Sequence, residues 1–360
     1  MARDREKTHE KFGLETPDYK LLSKIDKNDL LISRKLIRKV RGKEELEKAI
    51  KSKNFYVLTG IMPSYEKIHF GTYGVIALVK FFQKVSKLTI VCIADVESYL
   101  TRNISLQKAK EISYNEHIPA YLSLGLDENK TVFYFQSENS SLVKIAIDAA
   151  NNITLSNFRE VYGDISPQRI YSSTYQIADI LFPQLIKPMY AIVPVGLDQD
   201  PHLRLTRDYV RKTKEFKFIP PSSLYIETIP SLSGKEKMSK SEPESAIFLP
   251  EDRNALKTKI KNAFSGGGAT IEEHKKRGAN LEVDVCYKIL RFIDKNPKFE
   301  EIAEKYRKGE ILSGEFKEYA FSVLSEFMEE FEEKFKIFKD KVERREINLI
   351  RSAEELASYL

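Results

Sequence analysis

The sequence predicts an α/β protein, with a Rossmann-like, doubly wound parallel sheet that carries a helical insertion and is followed by an all-α C-terminal domain. Two observations favour this fold. Short, continuously apolar runs, which suit strands covered on both faces, alternate with helical patterns up to about residue 230. After Ser231 the strand-like runs end and helical periodicity continues to Leu360, so a second, helical domain is expected.

The first predicted unit is a strand, a loop, a helix and a second strand. Residues 54–59 have the composition of a strand, and residues 60–67 contain the Gly and Pro that mark a loop. Residues 70–84 carry apolar side chains at three- and four-residue spacing, which predicts a helix. Residues 88–94 are apolar and too few for a lone helix, so they predict a buried parallel strand.

Two further buried strands are predicted at residues 131–135 and 190–195. The chain around and between them is mostly helical, including residues 140–150 and 173–181. These helices form the predicted insertion, which spans about residues 100–185.

Four segments follow from these patterns. Residues 1–53 are expected to form an N-terminal extension with one short helix, and residues 54–230 to form the sheet domain with its insertion. Residues 231–250 are expected to form a mobile loop, and residues 251–360 the helical domain.

The composition excludes several classes of protein. The two cysteines, Cys92 and Cys286, are too few and too far apart for a disulfide framework or a zinc site built on paired cysteines. The N-terminus is charged and no apolar run is long enough to span a bilayer, so we expect a cytoplasmic protein that is not a membrane protein. The net charge of +6 suits a polyanionic partner, although a thermophile surface accounts for it equally well.

The loop and helix start near residue 70 suit the binding of a phosphate group. Helix N-termini present unpaired N–H groups and partial positive charge. Gly71 permits close backbone approach there, and His69 or Thr72 can donate a hydrogen bond. A histidine before a helical turn is more often structural, so this segment alone leaves both interpretations open.

A lysine-rich loop further along the chain changes that balance. Lys237 and Lys240 stand three residues apart in a stretch rich in Ser and Gly. Their flexible, charged side chains can follow the negative charge that builds on a leaving pyrophosphate. A loop that closes only as this charge develops stabilises the transition state more than bound ATP, which raises turnover.

In this order, the two motifs resemble the ATP-binding motifs of class I aminoacyl-tRNA synthetases. The first is His69-Phe-Gly-Thr72, and the second is the KMSKS sequence that starts at Lys237. Residues 193–208 are similar to a stretch of the tryptophanyl enzymes, and residues 263–285 carry short stretches similar to their archaeal and eukaryotic branch. The first motif departs from the family at Thr72, where a second histidine is usual.

The resemblance implies that ATP, carrying Mg²⁺, activates L-tryptophan and that the aminoacyl group passes to tRNA(Trp). It implies no protein-bound zinc or other metal, a homodimer, a catalytic domain at residues 54–230 and an anticodon-binding domain at residues 251–360. The catalytic residues would be Lys237, Lys240, His69 and Thr72. The ATP-binding residues would be these four together with Pro63, Ser64, Gly71, Gly196, Asp198, Met238, Ser239 and Ser241.

The resemblance also implies an amino-acid pocket. Its residues would be Leu58, Cys92, Glu97, Gln176, Asp179 and Gln199. Gln199 would hold the amino end of the substrate. Gln176 and Asp179 share a helical face, and Asp179 could accept a hydrogen bond from an indole N–H or from a phenolic O–H.

Tyrosyl enzymes share the fold and both motifs, so they are the nearest alternative. Leu58 and Ser172 stand where archaeal-type tyrosyl enzymes commonly place tyrosines, and the loss of such partners disfavours tyrosine as substrate. Leu58 and Cys92 also differ from the animal tryptophanyl enzymes, whereas Glu97 matches an acidic pocket residue of that branch.

Two alternatives lie outside the synthetases. A small-molecule nucleotidylyltransferase is disfavoured by the helical domain, and a non-catalytic paralogue is disfavoured by the intact lysine loop. In the helical domain, Lys257, Lys259 and Lys261 could contact tRNA phosphates, which would carry no sequence information.

Overall fold

A computed structural model describes residues 13–235, 237–239 and 242–360. Its centre is a six-stranded sheet of order β1-β7-β6-β2-β4-β5. The strands are β1 (Ile37–Arg41), β2 (Phe55–Ile61), β4 (Leu88–Ile93), β5 (Thr131–Phe135), β6 (Tyr190–Val195) and β7 (Ser222–Ile226). A separate two-stranded sheet is formed by β3 (Ile68–His69) and β8 (Phe248–Leu249).

Five neighbouring strands of the large sheet run parallel, from β7 at one side to β5 at the edge. Every residue of β4, β5 and β7 is buried. Their apolar sequences fit this environment, because strands of a parallel sheet are covered by helices on both faces. The predicted Rossmann-like sheet is therefore confirmed.

Two strands of the large sheet were not predicted from the sequence, and neither was the small sheet of β3 and β8. β1 pairs antiparallel with β7 at the other edge of the sheet, and it lies within residues 1–53, which were expected to form only an extension. Its charged sequence, Ile-Arg-Lys-Val-Arg, lacks the apolar run that predicts a buried strand. An edge strand can have such a sequence because it has one neighbour and tolerates exposed charge. β7 follows two prolines and begins with two serines, so its apolar run is short.

Helices cover both faces of the sheet. Before β2 lie α1 (Tyr19–Asp26), α2 (Leu30–Ser33) and α3 (Lys43–Ser52), and a 3₁₀ turn (Phe70–Thr72) leads into α4 (Tyr73–Gln83). After β4 lie α5 (Asp95–Arg102), α6 (Leu106–Ile112), a π-helical turn (Ser113–His117) and α7 (Ile118–Ser123). After β5 lie α8 (Leu142–Asn152), α9 (Leu155–Tyr162) and α10 (Pro167–Leu181), and α11 (Asp200–Lys212) joins β6 to β7.

The C-terminal part consists of helices, as predicted. They are α12 (Arg253–Asn262), α13 (Ile271–Arg277), α14 (Val285–Ile293), α15 (Phe299–Arg307), α16 (Ser313–Glu343) and α17 (Ala353–Leu356). Buried side chains of α12, α14, α15 and α16 share one apolar cluster with one face of the sheet. Among the described residues, no helix is both long and apolar enough to cross a membrane.

The end of the chain returns to the sheet. The Phe133 N–H of β5 donates to the Asn348 carbonyl over 2.8 Å, and the Ile350 N–H donates to the Phe133 carbonyl over 2.9 Å. Ile350, Ala353 and Leu356 are buried against the sheet domain. The helical part therefore covers the exposed edge of β5.

Residues 231–250, the segment expected to form a mobile loop, include some regular secondary structure. It contains a 3₁₀ turn at Pro243–Ser245 and strand β8. In β8, Leu249 pairs with Ile68 and Phe248 pairs with His69. Leu249 is buried, and this burial holds the end of the segment against β3.

One lysine of the helical domain differs from expectation. The Lys259 Nζ donates to Glu251 Oε2 over 2.6 Å and to the Ala246 carbonyl over 2.9 Å, and only 10% of its side chain is exposed. It is therefore engaged within the protein and not presented to a phosphate backbone. Lys257 and Lys261 are exposed.

Candidate active site

A cavity of about 1770 Å³ opens at the carboxyl ends of the parallel strands. Gly60 lines it near the end of β2, Ala94 and Gln136 directly follow β4 and β5, and Gly196 directly follows β6. Open α/β sheets bind ligands at this edge, because the loops leaving neighbouring strands part there.

Asp179 on α10 lies at one end of the cavity and is almost completely buried. The Tyr134 hydroxyl donates to its Oδ1 over 2.7 Å, and the Gln136 amide donates to its Oδ2 over 2.6 Å. Burial raises the pKa of Asp179 to about 7, and the two hydrogen bonds oppose that shift. The neighbouring Cys92 thiol has a raised pKa because it is buried beside this carboxyl group.

Glu97 and Gln176 form a second polar pair in the cavity. The Gln176 Nε2 donates to Glu97 Oε2 over 3.0 Å, and burial raises the pKa of Glu97. The Gln176 Oε1 is buried and has no hydrogen-bond partner in the part of the chain that the structure describes. An unpaired buried acceptor beside a carboxylate suits a donor that enters from outside the protein.

Gly196, Asp198 and Gln199 form the loop that leaves β6. A Cβ atom on Gly196 would lie 2.5 Å from Asp198 Oδ1, so only glycine lets this carboxylate fold back over the strand end. The Lys237 Nζ lies 3.4 Å from Asp198 Oδ2, and both side chains are exposed. Such exposed pairs contribute about 0–1 kcal/mol, so a ligand could readily replace this contact.

The structure brings the two predicted ATP motifs together. β3 ends at His69 and pairs with β8, which follows the lysine loop. Met238 of that loop is buried, and its Cβ lies 3.6 Å from the point where a Cβ of Gly71 would stand. Thr72, Ser64 and Ser239 line the same cavity.

A buried ion pair holds the start of α11, next to the Gly196–Gln199 loop. The Arg41 guanidinium of β1 donates to both oxygens of Asp200, over 2.6 and 2.8 Å. The Tyr225 hydroxyl of β7 donates to Asp200 Oδ1 over 2.5 Å. The edge strand therefore fixes the residue that follows Gln199.

Most of the predicted site residues line this one cavity. They are Leu58, Ser64, His69, Gly71, Thr72, Cys92, Glu97, Gln176, Asp179, Gly196, Asp198, Gln199, Lys237, Met238 and Ser239. Pro63 is buried and is not among the lining residues, and Ser172 is buried in α10 away from the lining. Lys240 and Ser241 lie outside the described residues.

Sequence reasoning missed three residues of the site. Tyr134 and Gln136 hold Asp179, and Gln136 directly follows β5, so the rule that strand ends meet at the site could have identified it. His202 lines the cavity with its Nδ1 2.6 Å from the Tyr162 hydroxyl, and burial lowers its pKa to about 4. His202 lies within residues 193–208, the stretch similar to the tryptophanyl enzymes, but the sequence analysis assigned it no role. Among the described residues, no cluster of three or more metal-binding side chains occurs.

The sheet, the strand-end cavity and the paired motifs define a class of protein, the class I aminoacyl-tRNA synthetases. The family model described as "tRNA synthetases class I (W and Y)" matches residues 51–329. A tryptophan–tRNA ligase of Methanocaldococcus jannaschii is 40% identical over 342 residues, which cover 92% of each chain. The chain therefore belongs to the tryptophan–tRNA ligase family.

Solved structures agree with this assignment. The crystal structure of a tryptophanyl-tRNA synthetase from Aeropyrum pernix K1 matches with a TM-score of 0.88 and 30% identity, covering 97% of each chain. A tryptophanyl-tRNA synthetase from Encephalitozoon cuniculi, solved bound to tryptophan, matches with a TM-score of 0.84 and 26% identity, covering 98% of each chain.

Proposed function

We propose that this protein joins L-tryptophan to ATP, forming tryptophanyl-adenylate and pyrophosphate, and then transfers the tryptophanyl group to the terminal adenosine of tRNA(Trp). Relatives named as tryptophan–tRNA ligases, which match nearly the whole chain, support this function. The bound tryptophan of the Encephalitozoon cuniculi structure supports the same substrate.

The observation that carries the choice of substrate is the environment of Asp179. The Tyr134 hydroxyl uses its only hydrogen to donate a hydrogen bond to Asp179, and the Gln136 amide donates a second one. The carboxylate thus offers acceptor positions to a ligand, which suits an indole N–H, because that group only donates. A phenol would also need a donor for its own oxygen, and Leu58 supplies none.

The amino group of tryptophan fits the Glu97–Gln176 pair. An ammonium group donates three hydrogen bonds, and the Glu97 carboxylate and the unpaired Gln176 Oε1 are both acceptors. Gln199, which also lines the cavity, is a further candidate for this group.

ATP fits the opposite side of the cavity. Asp198 would accept from ribose hydroxyls, Gly196 would allow the adenosine to approach the strand end, and His69 and Thr72 would donate to phosphates. Lys237, like Lys240, would stabilise the charge that develops on pyrophosphate. Mg²⁺ would enter on the ATP phosphates, since this ion keeps several waters and prefers substrate phosphates to a protein cage.

Pyrophosphate exchange tests the proposal directly. The protein is incubated with ATP and labelled pyrophosphate, together with tryptophan, tyrosine or no amino acid. We expect exchange that depends on tryptophan, and we expect Asp179→Ala to weaken it more than Ser172→Ala. Exchange with tyrosine alone would show that the protein is a tyrosyl enzyme. No exchange with either amino acid would refute the activity.

A homodimer and a cytoplasmic location complete the proposed function. Three large apolar side chains are exposed on the helices α8 and α9, namely Val143, Ile147 and Leu155, and a second copy of the chain could cover them. Sedimentation of the protein and of Ile147→Glu would test this, because a charge in a dimer interface should yield monomers.

Cys92 and Cys286 are buried and unpaired, which fits a reducing compartment.

A further inference from the structure

One part of the active-site cavity is not used by tryptophan or ATP in the proposed function. We call it the rim site, and its residues are Met62, Tyr65, Arg102, Ile104 and His117. The whole cavity, at about 1770 Å³, exceeds the roughly 300–1,000 Å³ of an ordinary small-molecule pocket. It therefore has room for a third group beside the two substrates of the activation step.

Helix α5 connects the rim site to the tryptophan end of the cavity. Glu97 lies near the start of this helix and Arg102 at its end, about 7–8 Å further along the helix axis. The Thr101 Oγ1 lies 3.8 Å from Met62 Sδ, so the end of α5 packs on the loop that carries Tyr65. A ligand in the rim site would consequently reach towards the bound amino acid.

The exposed side chains of the rim site suit a nucleotide. About half of the Tyr65 side chain is exposed, and Arg102 is exposed and forms no salt bridge with any residue that the structure describes. Tyr99, which is also exposed, precedes Arg102 by three residues and shares its helical face. An aromatic ring stacks on a base, and a guanidinium pairs with a phosphate.

His117 links the rim site to a local irregularity of the helices. It ends the π-helical turn between α6 and α7, is fully buried, and its Nε2 lies 2.8 Å from the Tyr65 carbonyl oxygen. Single π-helical turns within helices are frequently found at functional sites. This hydrogen bond fixes the backbone at Tyr65 and so presents the tyrosine ring at the mouth of the cavity.

We propose that the rim site binds the terminal adenosine of tRNA during the transfer step, with Tyr65 stacked on the adenine and Arg102 paired with the adjoining phosphate. This inference rests on the proposed function. In that step a ribose hydroxyl oxygen bonds to the carbonyl carbon of tryptophanyl-adenylate, and the bond from that carbon to the phosphate oxygen breaks. AMP leaves with the electron pair, and the hydroxyl proton passes to its phosphate.

Two assays on the full chain separate this role from the binding of ATP. Pyrophosphate exchange measures activation without tRNA, and single-turnover transfer from preformed adenylate measures the use of tRNA(Trp). For Tyr65→Ala and Arg102→Ala we expect transfer to fall about tenfold, while exchange changes by less than about twofold. Tyr65→Phe and Arg102→Lys keep the ring and the charge, so they should retain most of the transfer rate.

The matched controls are Tyr359→Ala and Arg211→Ala, which alter exposed residues outside the cavity lining.

Binding of tRNA with and without its terminal adenosine gives a second measurement, and the Tyr65→Ala and Arg102→Ala variants should no longer distinguish the two forms. Equal losses of exchange and transfer would assign the residues to ATP and overturn the rim site. Unchanged transfer would also overturn it. Absence of exchange in the unaltered chain would instead refute the proposed function, and the rim site with it.

Discussion

Asp179 shows how much a single side chain depends on its surroundings. Its carboxyl group is buried, and this burial raises its pKa to about 7, although Tyr134 and Gln136 both donate to it. The proton is therefore bound on the acid side of pH 7 and released on the alkaline side. Only the charged form makes the stronger, charge-assisted hydrogen bond to an indole N–H.

Tryptophan affinity should accordingly depend on pH. Between pH 8 and pH 6 the charged fraction of a group with this pKa falls about tenfold, and we expect the dissociation constant of tryptophan to rise by a similar factor. Calorimetric titration at several pH values measures it. Asp179→Asn removes the group that titrates in this range, so it should flatten the profile. A wild-type affinity that is constant from pH 6 to 8 would contradict a charged acceptor.

A side chain at Gly196 should disturb the proposed ribose site. In Gly196→Ala the new Cβ would stand 2.5 Å from Asp198 Oδ1 and displace the carboxylate proposed to bind ribose. We expect kcat/KM for ATP to fall about 10- to 100-fold, because small displacements of positioning groups are costly. Steady-state exchange kinetics measure this, with Gly314→Ala as the control, since a Cβ there meets nothing within 4 Å. Equal kinetics in the two variants would refute this role of Gly196.

At the scale of elements, the edge strand β1 is tied to the active-site loop by a buried ion pair. Arg41 and Asp200 have side chains that are 9% and 11% exposed, and they form two hydrogen bonds. Of the charged residues of this strand, Arg41 is buried, whereas Arg38 is exposed, as an edge strand allows. The residues before β2 therefore belong to the structure that positions Asp198 and Gln199.

Removing one partner of this pair should strongly destabilise the fold. In Arg41→Ala the Asp200 carboxylate would stay buried without its cation, which typically costs about 3–5 kcal/mol. Urea unfolding followed by circular dichroism measures the free energy of unfolding. The exposed pair of Arg211 and Asp208 offers the control, and Arg211→Ala should change stability by less than about 1 kcal/mol. Similar losses in both variants would show that the buried pair has no special role.

At the scale of the whole molecule, the two predicted domains share one apolar core. Side chains of α14 and α16 share an apolar cluster with the strands of the sheet, and the last residues of the chain bond to β5. The division at residue 251 remains a prediction about function, because the apolar core is continuous across it. Strand β8, which follows the lysine loop, pairs with β3 of the sheet domain.

Removal of residues 347–360 should expose the edge of β5. Phe133 would lose its hydrogen bonds to Asn348 and Ile350, and the bare strand edge would become a site for pairing with other chains. We expect a lower melting temperature and increased light scattering on heating. Glu354→Ala, a change of an exposed residue in the same segment, should leave both unchanged. A truncated protein with wild-type behaviour would show that the segment does not protect the edge.

The amino-acid sequence by itself determined the parallel sheet, the helical C-terminal part and the two motifs that meet at the strand ends. Strands buried on both faces require continuous apolar runs, and phosphate chemistry requires particular side chains in a particular order, so both leave a local signal. Only the tertiary structure decided that β1 completes the sheet, that Tyr134 and Gln136 hold Asp179, and that Arg41 holds Asp200. These features depend on burial and on charges far apart in the chain, and residue order alone does not specify which of them become neighbours.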